Sequence, residues 1–183
     1  MSFDAVRRSV LDGCALPASA TALPFATRLS LRGGGDVVGP VTEAFGVAPP
    51  ARPLGSAASG ERAALWQGPD EWLLIAEAEA GDVEARLEAA LGNVFHTLVN
   101  ISHRQVGLAL EGPAAARLLA AGCPLDLDLS AFPVGMATRT LFVKAEIGLW
   151  RRADTAFRLE VGRSFAPYVA HMLNEAARDQ GEG

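Results

Sequence analysis

Few groups of residues in this chain have the types that chemistry needs, and their spacing decides how far each can go. Ser102-His103 sets a hydroxyl beside an imidazole. Neighbours in an extended segment point to opposite faces, and no third group is indicated to orient the imidazole, so a structural turn or strand-end role is expected. His96, His103 and His171 share no metal-ligand spacing; His171 with Glu175 at i+4 reads as a solvated helix pair. Asp126 and Asp128 lack the further oxygen ligands that a divalent cation requires. They are left to cap Ser130 and its neighbours or to contact a partner. Gly33-Gly34-Gly35 lacks the Gly-Lys-Ser/Thr ending of a phosphate loop and is expected to be a flexible hairpin turn.

Arg151-Arg152, directly after Trp150, is suited to recognition. Two guanidiniums and an aromatic can hold a carboxylate or the acidic edge of a partner, although a solvated strand end would use the same residues. Trp66 and Trp72 join them, because aromatic side chains serve either a core or an interface. The candidate partner-interface residues are therefore Trp66, Trp72, Trp150, Arg151 and Arg152. No complete catalytic, cofactor-binding or metal-ligating set is expected in this chain.

The elements that must position these residues follow from periodicity and punctuation. Residues 1–22 have no clear period and are expected to form an N-terminal arm, at most with a short helix over 3–11. Alternation at Phe25, Thr27, Leu29 and Leu31 predicts a strand, ended by the three glycines. Pro49, Pro50 and Pro53 mark 46–61 as a loop. Strand, turn and strand follow over 64–67, 68–70 and 71–77. A helix over 81–91 presents Val83, Leu87, Ala90 and Leu91 on one face. Strands are expected over 94–101 and 105–110. Gly112-Pro113 opens a helix to about Ala121, with Gly122 as its stop. A loop over 123–135, strands over 137–144, 147–152 and 156–161, and a helix over 165–178 with Ser164 as N-cap complete the pattern.

A weak repeat lies within this order. Leu65-Trp66 recurs as Leu149-Trp150, 84 residues later, Asp70 recurs as Asp154, and Leu73 and Ile75 match Phe157 and Leu159. Each copy reads as a hairpin plus a helix that needs a partner to cover one face. The expected class is α+β: antiparallel sheet with helices on one side, built from two hairpin-plus-helix units, in a single domain over 23–180.

Composition narrows the function. The 183 residues suit one domain, and half are hydrophobic. Sixteen basic against 21 acidic residues, net −5, leaves no basic excess for neutralising phosphates, so nucleic acid is not an expected partner. No apolar run reaches the ~18 residues that span a bilayer, and the interrupted N-terminal stretch makes a poor signal peptide. Two widely spaced cysteines, Cys14 and Cys123, read as reduced thiols in a cytoplasmic protein.

The segment from Asn100 to the last helix resembles the folate-binding domain of the aminomethyltransferase superfamily. The residues that carry the likeness are Asn100-Ile101-Ser102-His103, Gly112, Gly135 and Ser164. Within it, the chain is similar to the gamma subunit of heterotetrameric sarcosine oxidase through Leu65 to Trp72, Gly122 to Leu127, Phe132 to Gly135 and Arg163 to Ala166. It departs from catalytic members at two places. Their acidic hairpin stretch is Lys144 to Arg152 here, and the Asp of their Asp-Val-Ser-His motif is Asn100. It also has about half the length of a full transferase. The resemblance therefore implies an accessory, non-catalytic subunit of a complex that oxidatively demethylates sarcosine to glycine. Its partners would be alpha, beta and delta subunits, and FAD, FMN, NAD, tetrahydrofolate and zinc would sit in those other chains. A stand-alone tetrahydrofolate-binding protein, or the equivalent subunit of an N-methylglutamate dehydrogenase, are the alternatives it leaves open.

Overall fold

Period-2 alternation builds two sheets whose apolar faces look outward to helices and whose remaining faces meet each other. The computed structural model describes residues 9–77 and 82–181. The strands are β1 (Ala20–Ala22), β2 (Thr27–Gly33), β3 (Ser56–Ser59), β4 (Arg62–Gly68), β5 (Glu71–Ala76), β6 (His96–Asn100), β7 (Gln105–Glu111), β8 (Ala137–Phe142), β9 (Ala145–Ala153) and β10 (Ala156–Gly162). The helices are α1 (Val38–Phe45), α2 (Val83–Leu91), α3 (Ala115–Ala120) and α4 (Ala166–Asp179). One antiparallel sheet has the order β3-β4-β5-β2-β6 and the other β1-β7-β10-β9-β8. The expected antiparallel α+β pattern holds, with the strands divided between these two sheets.

Three apolar clusters define the layers. Leu29, Leu31, Trp72 and Leu74 of the first sheet pack against Val41 and Phe45 of α1 and Val83, Leu87 and Leu91 of α2. Leu108, Leu110, Leu149, Phe157 and Leu159 of the second sheet pack against Leu119 of α3 and Val169 and Leu173 of α4. Between the sheets lies a smaller cluster of Ala63, Leu65, Leu73, Ile75, Ala137 and Trp150. At one margin the sheets are tied by a bridge between Gly55 and Met136 and a bond from Ser56 Oγ to Gly135 O at 2.7 Å.

The two units match more fully than hairpin plus helix. β2-α1-β3-β4-β5-α2-β6 is repeated as β7-α3-β8-β9-β10-α4, and β1 takes beside β7 the place that β6 takes beside β2. The residue correspondence differs from the 84-residue identity match. Leu65 faces the other sheet, whereas Leu149 faces the helices. A shift of 85 brings the faces into agreement: Leu65 with Trp150, Leu73 with Arg158, Trp72 with Phe157. In a strand a one-residue slip exchanges every side chain between faces, so the recurring Leu-Trp pair occupies opposite sides in the two units.

Other expectations are corrected locally. Gly33-Gly34-Gly35 is no hairpin turn; β2 runs into a 3-10 turn (Gly35–Val37) and then α1. Glycine is required at 33 because a Cβ there would lie 2.4 Å from Val37 Cγ1. Ser164 does not cap α4, whose N-cap position is Phe165 without a side-chain bond. Gly122 follows α3, but its role is close approach, since a Cβ would meet Val143 Cγ2 at 2.7 Å and Phe142 Cε2 at 2.9 Å. The segment expected as an arm folds in: Leu11 is buried and Ala20 pairs with Leu110. The part of the expected 3–11 helix over 3–8 lies outside the described residues, and 10–13 forms a turn.

Candidate functional site

The layer between the sheets holds the unusual chemistry. On β10, Phe157, Leu159 and Val161 face the helices, which sends Arg158 and Glu160 inward between the sheets; on β2, Leu29 and Leu31 do the same and send Arg28 inward. Arg28, Arg158 and Glu160 are each at least 98% buried. Ionised groups there must be paired to persist, and these are. Arg28 donates from Nε to Glu160 Oε2 at 2.5 Å and from Nη1 to Ala26 O at 3.0 Å. Arg158 donates from Nε to Glu160 Oε1 at 2.6 Å and from Nη1 to Glu77. Burial opposes the Arg158 charge, but the Glu160 and Glu77 carboxylates outweigh it and hold the guanidinium above its ordinary range.

A groove of about 830 Å³ opens beside this network, lined by Glu160 at its base and by Glu71, Arg104, Arg139, Glu146 and Arg163. Gln105 and Arg163 also border a neighbouring cavity of about 270 Å³, lined by Arg28, Ser102 and His103. Gln105 Oε1 is buried without a partner among the described residues.

Ser102 and His103 are not a nucleophile–base pair. The buried Ser102 Oγ accepts from Arg28 N at 2.9 Å and donates to Asn100 Oδ1 at 2.6 Å, while His103 is exposed and packs at a tilt against Phe25 with centroids 5.4 Å apart. Asn100 acts in both senses, because its Nδ2 also donates to Glu84 at 2.6 Å. Asp128 accepts from Ser130 N and Oγ, and those bonds hold its carboxyl below the ordinary range; Asp126 accepts from Asp128 N at 2.9 Å. The His171–Glu175 pair is not formed, since Glu175 pairs with Arg178 at 2.6 Å. Among the described residues no group of three or more His, Cys, Asp or Glu is placed to hold a metal ion.

The five interface candidates do not share a surface. Trp72 is buried and donates from Nε1 to Pro50 O at 2.9 Å. Trp150 is buried between the sheets. Arg151 is 99% buried, with its guanidinium 4.5 Å from the centre of the Phe157 ring and one bond to Leu127 O at 2.7 Å. Burial holds that guanidinium below its ordinary range, against Asp154 and Asp128. These three serve the interior: Trp72 under the helices, Trp150 between the sheets and Arg151 against Phe157. Trp66 is half-buried and Arg152 exposed, over the Trp150 ring at 5.4 Å. Sequence reasoning missed Arg28, Arg158 and Glu160 because alternation assigns a polar face without saying what covers it. Charged residues on both β2 and β10 were the available signal.

Comparison with known proteins places these features. The family model described as sarcosine oxidase, gamma subunit family matches residues 35–179. Sarcosine oxidase subunit gamma of Corynebacterium sp. (strain P-1) is 34% identical over 84% of this chain and 77% of its own length. The subunit of that name from Corynebacterium sp. (strain U-96) is 37% identical over 62% of this chain and 55% of its own length. In structure, a chain of the heterotetrameric sarcosine oxidase from Corynebacterium sp. U-96 superposes with a TM-score of 0.86 at 30% identity, over 95% of this chain and 96% of that one. The glycine cleavage system aminomethyltransferase T from Bartonella henselae shares the fold (TM-score 0.67, 17% identity), with this chain spanning 49% of it. The chain belongs to the sarcosine oxidase gamma subunit family.

Proposed function

We propose that this chain is an accessory, non-catalytic subunit of a heterotetrameric oxidase that demethylates sarcosine to glycine. The observation that carries this reading is its near end-to-end superposition on a chain of a heterotetrameric sarcosine oxidase. The side chains support it from within. The Ser102 hydroxyl is committed to the backbone of β2 and to Asn100. Glu160, the buried carboxylate at the base of the groove, is already shared by two guanidiniums. The residues available for redox chemistry are two free thiols, Cys14 and Cys123, in separate loops. FAD, FMN, NAD, tetrahydrofolate and zinc would then be held by alpha, beta and delta partners, in the cytoplasm. No helix of the described residues is long and apolar enough to cross a membrane. Of the interface candidates, Trp66 and Arg152 remain available to a partner.

The test is a pull-down of the tagged chain from its native lysate, with intact masses, a flavin spectrum and sarcosine-dependent peroxide release. Three companion chains with flavin and activity are expected. Companions and flavin without sarcosine activity would move the substrate to another N-methyl amino acid, as in an N-methylglutamate dehydrogenase. The groove between the sheets favours a second reading, a stand-alone tetrahydrofolate binder. A colourless chain eluting alone and titrating with folate would establish that reading instead.

A further inference from the structure

We infer that the groove between the two sheets is a docking site for an acidic, extended segment of a companion subunit, clamped by Arg104 and Arg163. This rests on the accessory-subunit reading. The two arginines come from distant parts of the chain: Arg104 follows β6 and Arg163 follows β10. They are set side by side by a backbone bond from Arg163 N to Arg104 O at 2.8 Å. Both are exposed and line the groove, and neither guanidinium has a partner among the described residues.

The other charges lining the groove are largely spoken for. Arg139 lies 3.7 Å from Glu71, which Arg32 also engages at 2.9 Å, and Glu160 is held by Arg28 and Arg158. That leaves two free guanidiniums against the single carboxylate of Glu146. In a chain of net charge −5, this is a local excess of positive charge, and paired arginines suit bidentate recognition of carboxylates. Gln105, half-buried, lines the same groove and brings a side-chain amide to the backbone of an incoming chain. Phe165, 49% exposed, adds an apolar rim. Two guanidiniums for carboxylates, a side-chain amide for a backbone and an open groove of about 830 Å³ together describe a segment of acidic chain rather than an inorganic anion.

The experiment uses the co-expressed complex. Arg104→Glu/Arg163→Glu is compared with Arg104→Lys/Arg163→Lys and with Arg178→Glu in the last turn of α4, each checked for a native melting transition. Subunit association is followed by sedimentation across a salt series. The charge-reversed pair is expected to weaken association on the order of 10–100-fold and to flatten its salt dependence. The lysine pair is expected to retain most of the affinity, and Arg178→Glu all of it. Unchanged association in the folded charge-reversed variant overturns the proposal. So does saturable stabilisation of the isolated wild-type chain by succinate or tetrahydrofolate that the charge-reversed variant loses, because the groove would then be a small-molecule site. If the wild-type chain forms no complex at all, it is the accessory-subunit reading that fails.

Discussion

Arg28 on β2 and Glu160 on β10 meet at 2.5 Å between the sheets, although 132 residues separate them in sequence. With Arg158 on the other carboxylate oxygen, they form a buried arginine–glutamate–arginine triad that links the two units. Removing the shared carboxylate strands two guanidiniums. Glu160→Leu is expected to destabilise the chain by about 3–5 kcal/mol, read as a fall in denaturant midpoint with unchanged slope. Replacing the whole triad (Arg28→Met, Arg158→Met, Glu160→Leu) should recover most of that loss, because the desolvation cost of all three charges disappears together. Glu77, the remaining partner, is 32% exposed and can be solvated. A triple variant no more stable than Glu160→Leu would show that the triad is net stabilising.

Arg151 is buried with Nε and Nη1 unpartnered among the described residues. Its stacking on Phe157 and its one bond to Leu127 O offset only part of the desolvation. Arg151→Met keeps the length and removes the charge, and is expected to be neutral or to stabilise by about 1–3 kcal/mol. A thermal melt of the isolated variant decides it, and a clear loss of stability would mean the guanidinium is better satisfied than its contacts indicate.

Asn100 uses its amide in two directions, accepting from Ser102 and donating to Glu84. Asn100→Asp would keep the first bond and set a carboxylate against Glu84. A loss of below about 1 kcal/mol is expected for this exposed pair at neutral pH, shrinking at high salt and reversed by adding Glu84→Gln. Equal melting temperatures for Asn100→Asp with and without Glu84→Gln would refute the like-charge account.

His96 gives the pH dependence. The Val94 carbonyl at 2.7 Å favours its protonated form, burial opposes, and Glu88 at 3.3 Å adds to the first effect. Its folded-state pKa is therefore raised above the ordinary value. A raised value means stability fully present below the unfolded imidazole range and lost as pH rises through the folded value. Titration by NMR should show the shift, and Glu88→Gln should reduce it.

The strands and helices were largely legible because alternation and 3.6-residue spacing are local. Val83, Leu87 and Leu91 fall on the buried face of α2 as expected, while Ala90 is exposed, and the β4–β5 and β9–β10 turns lie close to their predicted places. α1 was hidden by Gly39-Pro40 in its first turn, and Val41 with Phe45 at i+4 was too short a pattern to outweigh them. The buried triad was illegible for a different reason: whether a polar face meets water depends on the second sheet, which is a long-range fact. The same fact turned Trp150 from a surface candidate into an interior residue, whereas Arg151, on the opposite face of β9, is buried against Phe157 and the loop that carries Leu127.

The position of β1 bears on how the chain is made. All strands of the sheet β3-β4-β5-β2-β6 lie within residues 27–100, so on the ribosome that unit can close while the rest is still being translated. β1 pairs with β7 alone, Ala20 opposite Leu110, and must be carried unpaired past a finished neighbour. Arg28 likewise waits for Glu160 with its charge still in water. Synthesis thus runs through a half-built stage whose inner sheet face remains wet, and the arrival of β10 is the event that dries it.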